Sequence, residues 1–204
     1  FSHLIVRRRG DELRVIGSDG FARHEGIGAT DDAMGQLAEI LLKESAAKTL
    51  GDMDNPAQTF GFDVQLLGEK TSFGLGEEIR FFIESDRDGY VTLVDLGTDG
   101  TVAMLLPNAD DPSMRIRAGQ RLEYPGEDLV FQALEPAGGG LVRAFITEEP
   151  LDIQLASPQD VYRAGGAEFA AEITEALKRA AGLDGNAVRL NSWGTASVVY
   201  EITN

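Results

Sequence analysis

Apolar and polar residues alternate along much of the chain after residue 58, and a period of two is typical of β-strands with one buried face. One such run has its apolar side chains at Phe60, Phe62, Val64 and Leu66. Two further runs present the sets Ile79, Phe81, Ile83 and Tyr90, Thr92, Val94 on one face each. Asp-Gly dipeptides, which suit tight turns because glycine accepts a positive φ, close these runs at residues 88–89 and 99–100. The pattern predicts an antiparallel meander.

The third strand of the meander ends at Leu106, and further short runs lie near residues 122–124, 129–134, 141–147 and 196–202, which brings the strands predicted after residue 58 to roughly eight. That number fits two packed sheets, so the fold class we predict is mainly β, an antiparallel β-sandwich of Ig-like or jelly-roll-like type. We interpret the Pro-Ala-Gly-Gly-Gly run at 136–140 as a flexible turn and residues 196–202 as the closing strand.

The first 57 residues have a different pattern. Residues 4–6 and 13–16 predict a hairpin, and residues 21–29 are loop-like. Thr30 is a good N-cap for a helix that continues to about Leu50. Its apolar residues at helical spacing are Met34, Leu37, Ala38, Leu41 and Leu42. A ββα segment of this size cannot form a stable core alone, so we expect residues 1–57 to dock on a sandwich domain at 58–204.

Two α-helical additions are predicted near the C-terminus. Ser157-Pro158 resembles a helix start, because proline is favoured at the first helical position. Residues 167–181 have apolar side chains at helical spacing, and Gly182 follows them as a stop signal. We therefore expect a helix immediately before the closing strand.

The chain is strongly acidic, with 18 basic and 34 acidic residues and a net charge of −16. Such a surface repels phosphate backbones and anionic lipids, so we expect neither nucleic-acid binding nor membrane insertion. The absence of cysteine excludes disulfides and thiolate chemistry but fixes no compartment, and cytoplasmic, periplasmic and exported locations all stay open. A start at Phe1 rather than Met is expected of a segment cut from a longer protein or of a processed form.

The sharpest metal candidate combines Glu84, Asp86 and Asp88 with Asp95, eleven residues after Glu84. This spacing nearly fits a calcium-binding loop, in which oxygen ligands on alternate residues wrap a hard cation. However, the first Asp and the last Glu of that pattern are exchanged, and strands rather than helices flank the loop. An acidic hairpin tip is the favoured alternative, so Ca²⁺ is the only cofactor considered and none is expected.

Two other sets are candidate binding residues. Asn108, Asp110 and Asp111 form a second acidic loop, for which a solvated surface loop is the alternative. Trp193 and Tyr200, together with Phe81, Phe82 and Tyr90, are candidates for an aromatic ligand pocket, and packing in the core is the competing interpretation.

Catalytic chemistry has little support in the sequence. His3 and His24 are the only histidines, and no nucleophile motif accompanies them. An enzyme would have to use paired carboxylates, such as Glu84 with Asp86 or Asp110 with Asp111, but adjacent carboxylates are common on acidic surfaces. We therefore expect no hydrolytic activity.

The succession of turns resembles a bacterial domain-of-unknown-function family that is found C-terminal to caspase-like (metacaspase or orthocaspase) peptidase domains. The resemblance covers roughly residues 58–204 and rests on Gly89-Tyr90, Asp99-Gly100, Leu106-Pro107-Asn108, Ala118-Gly119 and the Pro-x-Gly hairpin that begins at Pro136. It implies a non-catalytic accessory, regulatory or recognition module whose partner is an adjacent peptidase domain or another protein. A module that binds a small ligand, a glycan or Ca²⁺ is the alternative.

Overall fold

The structure is a computed structural model that describes residues 5–10, 12–16, 22–28, 33–127, 129–154, 163–183 and 191–204. The N-terminal elements are β1 (Ile5–Arg9), β2 (Glu12–Ile16), β3 (Ala22–Gly28) and α1 (Ala33–Gly51). They are followed by β4 (Phe62–Leu66), a 3₁₀ turn (Leu67–Glu69), β5 (Ser72–Gly74), β6 (Phe81–Ser85), β7 (Gly89–Leu96), β8 (Val102–Leu106), β9 (Arg115–Ile116) and β10 (Arg121–Tyr124). The last elements are β11 (Gly138–Thr147), β12 (Arg163–Gly165), α2 (Ala167–Ala180) and β13 (Trp193–Thr203). The Thr30 cap, His3 and the helix start at Ser157-Pro158 lie outside the described residues.

The N-terminal hairpin is confirmed, but the loop predicted at 21–29 is wrong. Residues 22–28 form β3, which pairs with β2 and completes a three-stranded antiparallel sheet. The β3 sequence does not alternate and contains two glycines, which explains why its pattern gave no strand signal. Pairing with the free edge of β2, with irregular register, makes this segment extended. The N-terminal segment is therefore βββα.

Two sheets face each other in the rest of the chain, and the predicted mainly β fold with antiparallel sheets is confirmed. The smaller sheet has the order β10-β6-β4, and the larger has the order β12-β8-β7-β11-β13-β5, with β9 paired to β7. Neighbouring strands are antiparallel except β5, which runs parallel to β13. The first core lies between the sheets and contains the alternating residues predicted for β4 and β6, including Phe62, Val64, Phe81 and Ile83.

The larger sheet is buried on its second face as well. There α2 contributes Phe169, Ile173 and Leu177, which pack with side chains of the central strands such as Val94 and Phe145. As a result β7 and β11 have almost no exposed side chains over their lengths. Alternation predicts one buried face per strand, and the helical layer accounts for the difference.

Most of the apolar face predicted for α1 is exposed, although Leu37 is half-buried and packs against a small cluster of Val15, Ala33 and Ile40. Met34, Leu41 and Leu42 are 74%, 53% and 63% exposed, whereas Ile40 and Leu50 are buried. The helix is apolar on more than one side, so spacing alone could not decide which side faces inward. None of the described helices is long and apolar enough to cross a membrane.

The C-terminal half of α1 and the loop that follows are fixed to the larger sheet. Ala47 and Leu50 join the second core, and the Lys43 ammonium lies 3.0 Å from the Asp99 carboxylate in the β7–β8 turn. In the loop, the Asn55 side-chain amide donates to the main-chain oxygen of Trp193 at 2.7 Å. The division into 1–57 and 58–204 stays a prediction, but these contacts join the two parts.

A matched pair of substitutions in α1 tests this orientation. Leu50→Ala should lower the free energy of unfolding by about 2–5 kcal/mol, since it empties part of a packed core. Leu41→Ala removes the same atoms from a half-exposed site and should change stability by no more than about 0.5 kcal/mol. Urea unfolding of both variants measures the difference, and similar losses would contradict the orientation described here.

Candidate functional site

The acidic loop after β8 is built around the buried side chain of Asn108. Its Oδ1 accepts hydrogen bonds from the backbone N–H groups of Asp110 and Asp111, and its Nδ2 donates to the Leu105 carbonyl. Asp111 Oδ1 accepts in turn from the N–H of Met114, the one non-glycine residue with positive φ in the described parts of the chain. Asn108 is therefore a structural residue that positions the two carboxylates.

These carboxylates lie on the rim of a groove of about 350 Å³ between the β8–β9 loop and β10. The rim carries four exposed carboxylates, from Asp110, Asp111, Glu123 and Glu127. The floor is apolar and is made by Leu106, Met114, Leu122, Tyr124 and Leu129. No lysine, arginine or histidine is among the described residues that line the groove. The arrangement combines negative charge with a surface that apolar side chains can contact.

The four residues of the calcium candidate are not brought together. Asp95 lies near the far end of β7, six residues beyond Gly89, which corresponds to roughly 20 Å of extended chain from the hairpin tip. Glu84 lies in β6 and points to Arg121, whose Nε is 3.8 Å away. In the part of the chain that the structure describes, no three His, Cys, Asp or Glu side chains are grouped to hold a metal ion.

The two remaining residues of the calcium candidate, Asp86 and Asp88, accept hydrogen bonds from neighbouring segments. Asp86 Oδ2 accepts a hydrogen bond from the Gly61 N–H at 3.0 Å, and Asp88 Oδ1 accepts one from the Ala118 N–H at 2.9 Å. These contacts connect the β6–β7 hairpin to the start of β4 and to the segment before β10. The geometry supports the alternative of an acidic hairpin tip with structural contacts.

Asp95 is instead a buried carboxyl at the edge of the first core. Its side chain lies in the same face of β7 as Leu93, and its Oδ1 accepts a hydrogen bond of 2.8 Å from the Tyr200 hydroxyl. Burial raises the pKa of Asp95 from 3.8 to about 7, although the hydrogen bond from Tyr200 opposes the rise and the nearby charge of Asp99 adds to it. The carboxyl therefore changes its charge near neutral pH, where an exposed aspartate is fully ionised.

A glycine makes the contact between Tyr200 and Asp95 possible. Gly140 of β11 is paired directly with Tyr200 of β13, and a Cβ atom at this position would fall on the tyrosine ring. The ring lies across the backbone of β11 and reaches Asp95 on the next strand. The flexible turn predicted at 136–140 is thus wrong for its last three residues, because Gly138, Gly139 and Gly140 are paired in a strand.

Tyr90 and Trp193 do not form an open aromatic pocket. Both are paired with Thr147, from opposite sides, so the three side chains lie in a row on the helix-covered face of the larger sheet. Trp193 is buried and belongs to the second core, while Tyr90 is half-buried. The competing interpretation, packing in the core, describes Trp193.

Sequence reasoning missed the pairing of Asp95 with Tyr200 as a site. Two signals were available: a lone acidic residue inside the apolar run Val91-Thr92-Leu93-Val94-Asp95-Leu96, and a glycine run that can accommodate an aromatic ring on the neighbouring strand. Neither signal identifies the partner, because strand pairing between β11 and β13 determines which ring covers which glycine.

Comparison with known families gives one match. Residues 72–150 match the family described as Domain of unknown function (DUF4384), which supports the resemblance to a domain of unknown function over this part of the chain. The matched range contains the acidic groove, Asp95 and all five turn motifs, but neither α1 nor Tyr200. No curated protein matches the chain significantly.

The raised pKa of Asp95 predicts a measurable dependence of stability on pH. Between about pH 4 and pH 7 the folded state keeps a proton that the unfolded state has lost, so the contribution of Asp95 to stability falls as pH rises. The total amounts to at most roughly 4 kcal/mol. Asp95→Asn keeps an acceptor for the Tyr200 hydroxyl but cannot ionise. Its stability should therefore not show the fall with rising pH that Asp95 causes.

Urea unfolding of the wild type and of Asp95→Asn at about pH 5 and about pH 8 tests the prediction. Ionisations that the two proteins share cancel when their changes in stability are compared. The wild type should lose more stability between these values than Asp95→Asn does. Asp110→Asn, a change of the same type on the exposed rim of the groove, should behave like the wild type. Identical pH profiles of the wild type and Asp95→Asn would refute the assignment.

Proposed function

We propose that this chain is a non-catalytic recognition module of a larger bacterial protein and that its acidic groove binds a basic, partly apolar segment of a partner protein. The observation that carries the proposal is the groove between the β8–β9 loop and β10, in which exposed carboxylates surround an apolar floor. Its location within residues 72–150, the range matched to the domain family, also supports a role for the groove.

Lysine and arginine suit this groove because their side chains combine an aliphatic stem with a charged end. The stem can lie on Leu122 and Leu129, which are half-buried, while the cation contacts the carboxylates above them. Asp110 and Glu127 are the best placed for this role. Asp111 already accepts a hydrogen bond from Met114, and Glu123 has Arg80 within 3.4 Å. The net charge of −16 would also speed the approach of a basic partner.

The effector to which the module is attached is, in this proposal, a caspase-like peptidase domain. This part rests on the resemblance of the turn motifs and not on the groove. A peptidase of that type requires a cysteine nucleophile, and the chain has none, so the chemistry would belong to the neighbouring domain. The module would then select or position proteins for the effector domain.

Charge reversal at the groove tests the recognition proposal. Asp110→Lys/Glu127→Lys should weaken binding of a synthetic peptide that alternates arginine and leucine by about tenfold or more, since two attractions become repulsions. Calorimetric titration at two salt concentrations measures the effect, and the affinity of the wild type should fall as salt increases. A peptide that alternates glutamate and leucine should not bind.

The matched control is Glu149→Lys/Glu201→Lys, which changes the net charge equally at exposed positions away from the groove. It should retain nearly the affinity of the wild type. Equal weakening by both double variants would show that only the overall charge matters. Failure of the basic peptide to bind the wild type would also reject the proposal.

The proposal that the chain is non-catalytic has its own test. Purified chain should not turn over peptide, ester or glycoside substrates above the buffer rate, because we assign it no activated nucleophile. Turnover that survives purification and disappears on a single carboxylate substitution, such as Asp110→Asn, would overturn the non-catalytic assignment.

A further inference from the structure

A second cavity, of about 210 Å³, lies beneath the β7–β8 turn at the end of the first core. The buried Asp95 carboxyl and the Tyr200 side chain line one end of it. Phe131, Leu134 and Pro136 supply an apolar wall from the segment that precedes β11. The cavity is separate from the acidic groove and shares no lining residue with it.

The Asp95 carboxyl has capacity for another hydrogen-bond donor. It is 8% exposed, and within the described part of the chain the Tyr200 hydroxyl is the only donor to it. That bond occupies Oδ1, whereas Oδ2 makes no bond to a described residue. A buried carboxylate with one unused oxygen gains from a ligand that brings both a donor and a positive charge.

Three other polar side chains around the cavity, those of Thr98, Asp99 and Thr101, are already paired. The Thr98 hydroxyl donates to the Pro136 carbonyl at 2.6 Å, and the Thr101 hydroxyl donates to Asp99 Oδ2 at 2.7 Å. Burial alone would raise the pKa of Asp99, but hydrogen bonds from Thr101 and Lys43 hold it below its ordinary value. Asp99 is therefore ionised and paired with Lys43 of α1. Glu135 is exposed, which leaves Asp95 as the buried carboxyl available to a ligand.

The lining is acidic and small. Asp95, Asp99 and Glu135 line the cavity, and no lysine, arginine or histidine is among its described lining residues. A volume of about 210 Å³ is below the roughly 300–1,000 Å³ of pockets for drug-sized ligands. The space therefore suits one short chain with a charged end and not a large ring system.

We propose that this cavity is a binding site for a primary ammonium group on a short alkyl chain, with Asp95 as its counter-ion and the Phe131–Leu134–Pro136 wall in contact with the alkyl part. A free alkylamine and a lysine side chain of a peptide share this chemistry. The ammonium group binds only the ionised form of Asp95. Below neutral pH, Asp95 must therefore lose its proton when the ligand binds.

The affinity for ammonium ligands should consequently rise between about pH 5.5 and pH 8 and then level off. The charged and titratable groups that face Asp95 are Asp99 in the β7–β8 turn, Glu135 in the apolar wall, Tyr200 on β13, and Lys43 of α1, which pairs with Asp99. Asp99 and Glu135 favour the cation as well, whereas Lys43 neutralises part of the charge of Asp99.

Calorimetric titration of the whole chain tests the proposal with three probes: butylamine, 1,4-diaminobutane, and lysine blocked at both its amino and carboxyl ends. 1-Butanol, which has the same alkyl part without the charge, is the control ligand. Binding of the free amines with no binding of blocked lysine identifies a small-molecule site, and the reverse identifies a site for a peptide side chain. Either result supports the ammonium site.

Asp95→Asn should weaken amine binding by about tenfold or more, since a charge-assisted hydrogen bond is replaced by a neutral contact. The matched control Asp152→Asn makes the same change at an exposed position that lines neither the cavity nor the groove, and it should leave the affinity unchanged. Thermal unfolding confirms that both variants are folded. The proposal is overturned if no amine binds at about pH 8, if butanol binds as well as butylamine, or if Asp95→Asn binds amines like the wild type.

Discussion

Burial of the larger sheet on both faces is the constraint on which the rest of this structure depends. One face meets the sheet of strands β10, β6 and β4, and the other face meets α2 and the end of α1. The central strands β7 and β11 are therefore buried almost throughout. Antiparallel sheets often leave one face to water, and such a sheet would need only alternating sequences. Here the helices are structurally required, because without them Val94, Met104 and Phe145 would be exposed.

A sheet enclosed in this way makes each polar side chain within it costly, and its two buried charged residues, Asp95 and Arg143, each make a hydrogen bond to another segment. Arg143, on the helix-covered face, donates to the Met53 carbonyl and so holds the loop after α1. Asp95, on the other face, meets Tyr200. Both hydrogen bonds connect segments that are distant in sequence. The Asp95 position differs because a cavity lies beside it, so its charge is not fully compensated by the protein.

The acidic groove and the Asp95 cavity use negative charge in different environments. Carboxylates on the groove rim are exposed and screened by salt, so each contributes little alone and recognition depends on several acting over an apolar floor. Asp95 is shielded from water, which strengthens a single charge contact and makes it dependent on pH. The groove is accordingly suited to an extended basic segment, and the cavity to one ammonium group. Both lie partly or wholly in the range matched to the domain family, which ties them to one module.

Local pattern determined much of this protein by itself: the alternation in β4 and β6, the turns at residues 88–89 and 99–100, the second helix and the closing strand all follow from residue spacing and turn chemistry. The sequence also identified the acidic loop with Asn108, Asp110 and Asp111, though not that Asn108 is buried beneath it. Only the tertiary structure decided which face of α1 is covered, since both Leu41 and Leu50 satisfy helical spacing. It also decided that β3 is a strand, that Glu84 and Asp95 lie far apart, and that the ring of Tyr200 lies on Gly140. Each of these depends on contacts between segments distant in sequence, and periodicity records which residues are apolar but not what they touch.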